Sequence, residues 1–389
     1  MDAGGPVDGL SMDSKYRMNN NATGKRVAGK TTIVAGAGGN IGSHLVPHLG
    51  RMAELDRVIL IDPDIYEAKN VWSQEITPRA VGKLKACVQA HALRQINPRL
   101  QVEAVPKAIQ DVPLGRLHAD VILACLDSRE ARLVVNQASF RLGVPWLDAG
   151  VEPRGLLARV TVYLPTADAP CLECGWHDED YALLEQLYAC GGEASSPAPT
   201  NAPSSIGALA ASLQAIECQK LLTGQFERLA AAQQVLIDAS HHKHYVTKLV
   251  RNGHCRFDHE AWCIFRHEVR SPDITVGEAL GLLGEPDPEE GSPALWVEGQ
   301  AFVVAVACAR CGWRRRVLRL QRRLRDSRCA KCGGRMVPIG FEMVERLDAT
   351  MSERIQHRTL RSLGLRAGDV FSVGTPLGSV RHYEIDCDT

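Results

Sequence analysis

A short apolar run that breaks into glycines and resumes at once as a helix constrains this chain more than any other feature. Thr31-Thr-Ile-Val-Ala-Gly36-Ala-Gly38-Gly39-Asn-Ile-Gly42 reads as a buried strand, a tight loop and the start of the helix NIGSHLVPHLGRM, which carries a proline near its middle. Glycines placed this way let backbone amides approach phosphates, and the helix N-terminus adds partial positive charge. The rhythm continues. RVILID is a second strand, AVGKLKACVQAHALRQIN an amphipathic helix, VEAVPKAI and ADVILACLD further strands, REARLVVNQASFRLG a helix and VPWLDAG a fifth strand. Strands alternating with helices predict a doubly wound, mainly parallel α/β sheet.

The last loop glycine falls one place later than in the dehydrogenase fingerprint, which has glycines at positions one, three and six. Asp62 ends the next strand, where an acid takes a ribose hydroxyl pair. The polar residues beyond it are foreign to hydride transfer: Asp64, then Lys69, Asn70 and Gln74, then Lys83 and Lys85, then Asp127 after VILACL. Lysines offset triphosphate charge, an aspartate at a strand's carboxyl end holds Mg²⁺, and Asn and Gln orient oxygens. Read one at a time, Lys83 and Lys85 also suit a solvated helix face, and Asp127 suits a helix N-cap.

Taken together, GAGGNIGS, LIDPD, Lys69-Asn70-Val-Trp-Ser73-Gln74, VGKLKA, CLDSREAR, CLEC and IGALAASLQAIECQKLLTG resemble the ThiF/MoeB family over about residues 30–260. The resemblance implies a Rossmann-like adenylation domain that uses ATP to adenylate the C-terminal glycine carboxylate of a small ubiquitin-like protein. Asp62 would bind ribose, Asn70 and Lys85 the phosphates, and Asp127 the magnesium, with Gly36, Gly38, Gly39 and Gly42 as the nucleotide loop. Ser73 stands where the family carries an arginine, a phosphate contact left to Arg79 or Lys83. The family's N-terminal Arg-Tyr-x-Arg-Gln motif, which donates an arginine across a dimer, is absent; Arg17 and Arg26 match it poorly. A homodimer is nevertheless implied. Cys190, in LYACGGEASSPAPTN, lies where the family's crossing loop (about 175–205) presents the cysteine that attacks the acyl-adenylate; the thioester would pass to a conjugating enzyme. Sulfur-carrier activation, and a nucleotide-binding scaffold without catalysis, are the competing readings.

Of the 13 cysteines, six form three Cys-x-x-Cys pairs, which in a reducing compartment point to metal. Cys308, Cys311, Cys329 and Cys332 have the spacing of a zinc ribbon with four thiolates and no open position. Cys171 and Cys174 need partners, for which Cys255 and His259 are proposed, with Cys263 in reserve. Cys87, Cys125 and Cys218 sit in apolar settings and are expected in the core, and Cys387 is uninformative.

The 45 basic and 45 acidic residues cancel, so no global field recruits nucleic acid or membrane. The arginine run RRRVLRLQRRLRDSR reads as a solvated ribbon face with room for an acidic partner, and His241–His244 as a water-facing turn. No apolar run reaches the ~18–20 residues of a membrane helix and no signal-peptide core is visible, so a cytoplasmic protein is expected. The expected layout is a flexible tail over 1–29, the adenylation domain over 30–270 and a β-rich zinc-ribbon domain over 271–389. The acidic, proline-rich 285–293 is read as a linker or exposed loop.

Overall fold

The apolar runs become strands, and their burial explains their composition. The computed structural model describes residues 29–186, 202–284, 288–324, 327–340, 342–348, 350 and 353–386. The last four residues of β1 (Lys30–Ala35) and of β2 (Leu55–Ile61) are buried, as is all of β4 (Val121–Ala124). With β3 (Gln101–Val105) and β5 (Trp146–Glu152) they form five parallel strands in the order β3-β2-β1-β4-β5. Strands buried on both faces have no polar side, the mark of a parallel sheet clad in helices. Three antiparallel strands, β6 (Leu157–Tyr163), β7 (Gln233–Asp238) and β8 (Lys243–Lys248), extend the sheet to eight. This is the doubly wound, mainly parallel α/β sheet expected from the sequence.

Helix α1 (Asn40–Leu49) buries Ile41, Leu45, Val46 and Leu49 on one stripe, with Pro47 close to its end rather than its middle. Helix α2 (Lys85–Ile96) buries Ala86, Ala90 and Leu93. Cys87, expected in the core, is exposed: one residue past Ala86 is a turn of about 100° around the helix, away from the sheet. Cys125 and Cys218 are buried as expected. Helix α3 (Arg129–Leu142) opens on Ser128, whose Oγ accepts the Ala131 amide at 3.2 Å, and stops at Gly143 in the left-handed region. The stretch expected as a loop from 175 begins with α4 (Asp178–Gln186), which has three acids in its first turn. Helix α5 (Ser204–Leu222) brings Ala210, Ala211, Ala215 and Cys218 into one core with Leu147, Ala149, Ala158 and Val162 of the sheet. Small side chains permit that close approach. Gly224, at φ +75°, follows as the expected stop.

Two compact units result, one of Met1–Gln110 with His118–Ala261, the other of Asp111–Leu117 with Trp262–Thr389. The second is β-rich. It contains β9 (Ile264–Val269), β10 (Ala294–Trp296), β11 (Phe302–Cys308), β12 (Arg314–Leu320), β13 (Met336–Pro338), β14 (Met343–Val344), β15 (Arg346–Asp348), β16 (Val370–Gly374) and β17 (Val380–Ile385). One sheet runs β15-β10-β16-β17-β9; in the other, β11 lies between β12 and β13 and also pairs with β14. Short helices α6 (Val276–Gly281), α7 (Glu353–Gln356) and α8 (Leu360–Leu363) accompany them. The acidic run at 285–293 falls inside this unit, where Pro288–Glu290 forms a 3₁₀ turn and Glu290 accepts the Thr375 hydroxyl at 3.0 Å.

Candidate nucleotide and metal sites

The order of β1, β2 and β4 decides where the site sits. β1 lies between β2 and β4, so the chain reverses its winding there, and the segments leaving the carboxyl ends of the three strands meet at one edge. The glycine loop leaves β1, Asp62 follows β2 and Asp127 follows β4. Gly36 adopts φ +80°, and a Cβ there would stand 2.4 Å from the Cys125 carbonyl oxygen. At Gly38 a Cβ would lie 2.4 Å from Lys85 Cβ. Gly39 caps α1 without any side-chain bond to its amides, and Gly42 lies in the first turn, so the helix opens on bare N–H groups.

Asp62 is buried. Its Oδ2 accepts the Gly38 amide at 2.8 Å and its Oδ1 the Asp64 amide at 3.0 Å. Burial pushes its carboxyl above the usual carboxylate range, opposed by the Asp64 amide, the Lys85 charge and the Gly38 amide. Lys85 begins α2 with only 10% of its side chain exposed, contrary to a solvated helix face. Its Nζ lies 3.0 Å from Asp64 Oδ2 and 5.8 Å from the Tyr66 ring centroid, and Gln89 donates to the Tyr66 hydroxyl at 2.8 Å. Gly38, Asp62, Asp64 and Lys85 thus form one connected group.

Asn70 is occupied locally: its Oδ1 accepts the Glu67 amide at 2.7 Å within the 3₁₀ turn Ala68–Trp72. Gln74 Oε1 is buried and finds no hydrogen-bond partner among the described residues. Ser73 ends that turn, and Lys69, Arg79 and Lys83 are exposed. Asp127 is exposed as well, and the helix N-cap is taken by Ser128 instead. Cys190 and Cys387 lie outside the described residues.

Sequence reasoning passed over Asp148. It is fully buried in β5, with Arg132 Nε at 2.9 Å from one oxygen and Arg159 Nη1 at 2.7 Å from the other. Arg132 also donates to the Leu126 carbonyl, next to Asp127, at 2.5 Å. A lone acid inside the apolar strand VPWLDAG was the available signal, because a buried carboxylate demands cationic partners.

The two cysteine groups assemble as the spacing predicts. Ligand atoms of Cys171, Cys174, Cys255 and His259 all lie within 4.8 Å of one another, as do those of Cys308, Cys311, Cys329 and Cys332. Cys263 is exposed and outside the first group. In that group Cys171 Sγ is 3.7 Å from Cys255 Sγ, and Cys174 Sγ is 3.5 Å from His259 Nε2. Burial lowers the His259 imidazole to about 4, which favours the neutral form that a metal ligand would need. The second group is built from two matching knuckles. The Arg310 and Cys311 amides point at Cys308 Sγ (3.4 and 3.5 Å), the Lys331 amide points at Cys329 Sγ (3.4 Å), and Gly312 and Gly333 follow at φ +69° and +70°. Converging sulfurs, with backbone donors aimed at them, fit Zn²⁺ held by four protein ligands.

Fold and loop together define a doubly wound α/β protein with a glycine loop opening onto a helix N-terminus at the switch point of the sheet. The chain belongs to the ThiF family, whose model matches residues 18–256. It is similar to "Ubiquitin-like modifier-activating enzyme 5" of Dictyostelium discoideum (28% identical over 158 residues, 37% of this chain and 41% of that protein). The protein of the same name from Oryza sativa subsp. japonica is 30% identical over 165 residues, 39% of this chain and 38% of that one. The chain therefore spans about two fifths of the length of these curated relatives. Among solved structures, E. coli MccB with ATP aligns at 22% identity and TM-score 0.47, over 59% of this chain and 66% of that one. No helix among the described residues is long and apolar enough to cross a membrane.

Proposed function

We propose that the chain is an adenylyltransferase that activates the C-terminal carboxylate of a ubiquitin-like protein with ATP, captures the acyl group on Cys190 and passes it to a conjugating enzyme. The observation carrying this reading is the buried Asp62, bonded to the loop amide of Gly38 and linked through Asp64 to Lys85. Family membership and the similarity to ubiquitin-like modifier-activating enzymes support it.

Asp62 keeps lone pairs on both oxygens for ribose hydroxyls. Lys85 and the open N-terminus of α1 would receive phosphate oxygens, Asn70 and Gln74 would orient them, and bound Mg²⁺, held by Asp127, would offset triphosphate charge. The substrate carboxylate attacks the α-phosphorus and pyrophosphate leaves, a step favoured by positioning and charge neutralisation. The Cys190 thiolate then attacks the acyl carbon and AMP departs, leaving a thioester. Both cysteine groups would hold structural Zn²⁺, and a homodimer is part of the proposal.

The test is ATP–pyrophosphate exchange stimulated by a small protein ending in glycine. Exchange, together with a thiol-labile adduct that disappears in Cys190→Ala, supports the full reading. Exchange with a thiocarboxylate product and no adduct on Cys190 would point to sulfur-carrier activation, and absence of exchange would leave a nucleotide-binding scaffold.

A further inference from the structure

The ribbon carries charge that its surroundings leave unanswered. Residues 302–340 contain eleven Arg or Lys against one acid, Asp326, in a chain of zero formal charge. Arg322 and Arg323 pair with Asp369. Arg314, Arg315, Arg316 and Arg319 of β12 are all exposed, and none has an ion-pair partner among the described residues. A zinc tetrathiolate, formally −2, would leave the ribbon strongly cationic.

These arginines do more than face water. Arg314, Arg315 and Arg316 line a groove of about 600 Å³ together with Val304 and Ala305 of β11, and with Ile339, Met343 and Val344; among the described residues Glu342 is the single acid in the lining. At that point β11 shifts register against β12, between Val303 and Ala305, while the Val304 amide bonds to the Glu342 carbonyl at 2.8 Å. Charges on an edge strand deter self-pairing. That role needs neither three consecutive arginines nor apolar side chains lining the same groove.

We infer that this groove docks an acidic segment of a partner protein, with carboxylates on the arginines and apolar side chains against Ile339 and Met343. Guanidinium forks bind carboxylates through paired hydrogen bonds, and their weak hydration suits a half-apolar groove. A nucleic-acid strand would instead call for aromatic platforms. None of the lining residues among those described is aromatic, and Trp313 nearby is covered by the Lys331 ammonium, 5.9 Å from its ring centroid. The inference stands whether or not the first unit adenylates.

The full-length, zinc-loaded chain tests it by fluorescence anisotropy. The probes are a short labelled peptide alternating Glu and Leu, the same peptide with Gln for Glu, and single-stranded DNA of similar length. The Glu–Leu peptide is expected to bind best, to weaken with salt, and to lose about tenfold or more in affinity in Arg314→Glu/Arg316→Glu. Met343→Gln is expected to weaken it several-fold. Zinc content and melting temperature report folding; if charge reversal unfolds the ribbon, Arg314→Gln/Arg316→Gln replaces it with the same expectation. Equal binding of the Gln peptide, tighter binding of DNA, unchanged affinity in the arginine variants, or no peptide binding would each overturn the inference.

Discussion

A methyl group on Gly207 would stand 1.4 Å from Asn40 Oδ1. Gly207 lies in the first turn of α5, and Asn40 is the first helical residue after the glycine loop. Asn40 Nδ2 donates to the Ala202 carbonyl at 2.7 Å, so the residue that follows the glycine loop is tied to the backbone just ahead of α5. Gly207→Ala should rotate the Asn40 side chain and break that bond, at a cost of ~1–3 kcal/mol. Urea unfolding should show the loss, and nucleotide binding should weaken while both zinc ions are retained.

Asp148→Asn should be severe. It leaves Arg132 and Arg159 with no counter-charge in a buried setting, and removing one partner of such a group costs about 3–5 kcal/mol. Chemical denaturation should register that loss. A variant as stable as the wild type would mean that the two guanidiniums find other acceptors.

Lys85 and Asp127 separate chemistry from folding differently. Asp127 is exposed, so Asp127→Asn should leave the melting temperature unchanged while pyrophosphate exchange falls by about a hundredfold or more. Lys85→Met should abolish exchange and also lower stability slightly, because its pair with Asp64 is only partly exposed.

Metal analysis should find two zinc ions per chain. Cys329→Ser should remove one and unfold the ribbon, while Cys171→Ser should remove the other and leave the ribbon intact, since the two groups belong to different compact units. Circular dichroism with metal quantification distinguishes the two.

Acid should reveal the Asp273–Arg361 pair. Bidentate bonds of 2.6 and 2.9 Å from Arg361, aided by the Ser271 hydroxyl, hold Asp273 at about 2, below its ordinary value of 3.8. The folded value is depressed, so the pair stabilises above pH 3.8, and this stabilisation disappears as pH falls through about 2. Asp273→Asn should melt earlier than wild type near neutrality and coincide with it at the acid limit. The gap should be small and narrow with salt, because both side chains are 59% exposed.

Sequence pattern announces those parts that depend on local physics. Apolar runs found the parallel strands, and the glycines of the loop found the α1 terminus. The cysteine spacing marked Cys308, Cys311, Cys329 and Cys332 as one group, and the candidates proposed for Cys171 and Cys174 lie beside them, His259 from 85 residues beyond Cys174. Hidden from it were features decided by three-dimensional neighbours. Lys85 looks like any helix-face lysine until Asp64 and Tyr66 close over it. Cys87 looks apolar until its helix turns it outward. Asp148 declares nothing until two arginines from other elements arrive. Helix α4 escaped because Asp178-Glu179-Asp180 reads as polar loop, although acids at that end favour a helix start.

The cluster of Cys171, Cys174, Cys255 and His259 draws its halves from points 84 residues apart, and the intervening stretch holds α4, α5, β7 and β8. An ion in that position is a removable cross-link around a long loop, and tying off a loop of that length raises the free energy of the unfolded chain by roughly 4–5 kcal/mol on chain-entropy grounds. A bound ion there would act as a fastener on the closing third of the first unit, and chelation should make that unit more open to proteases.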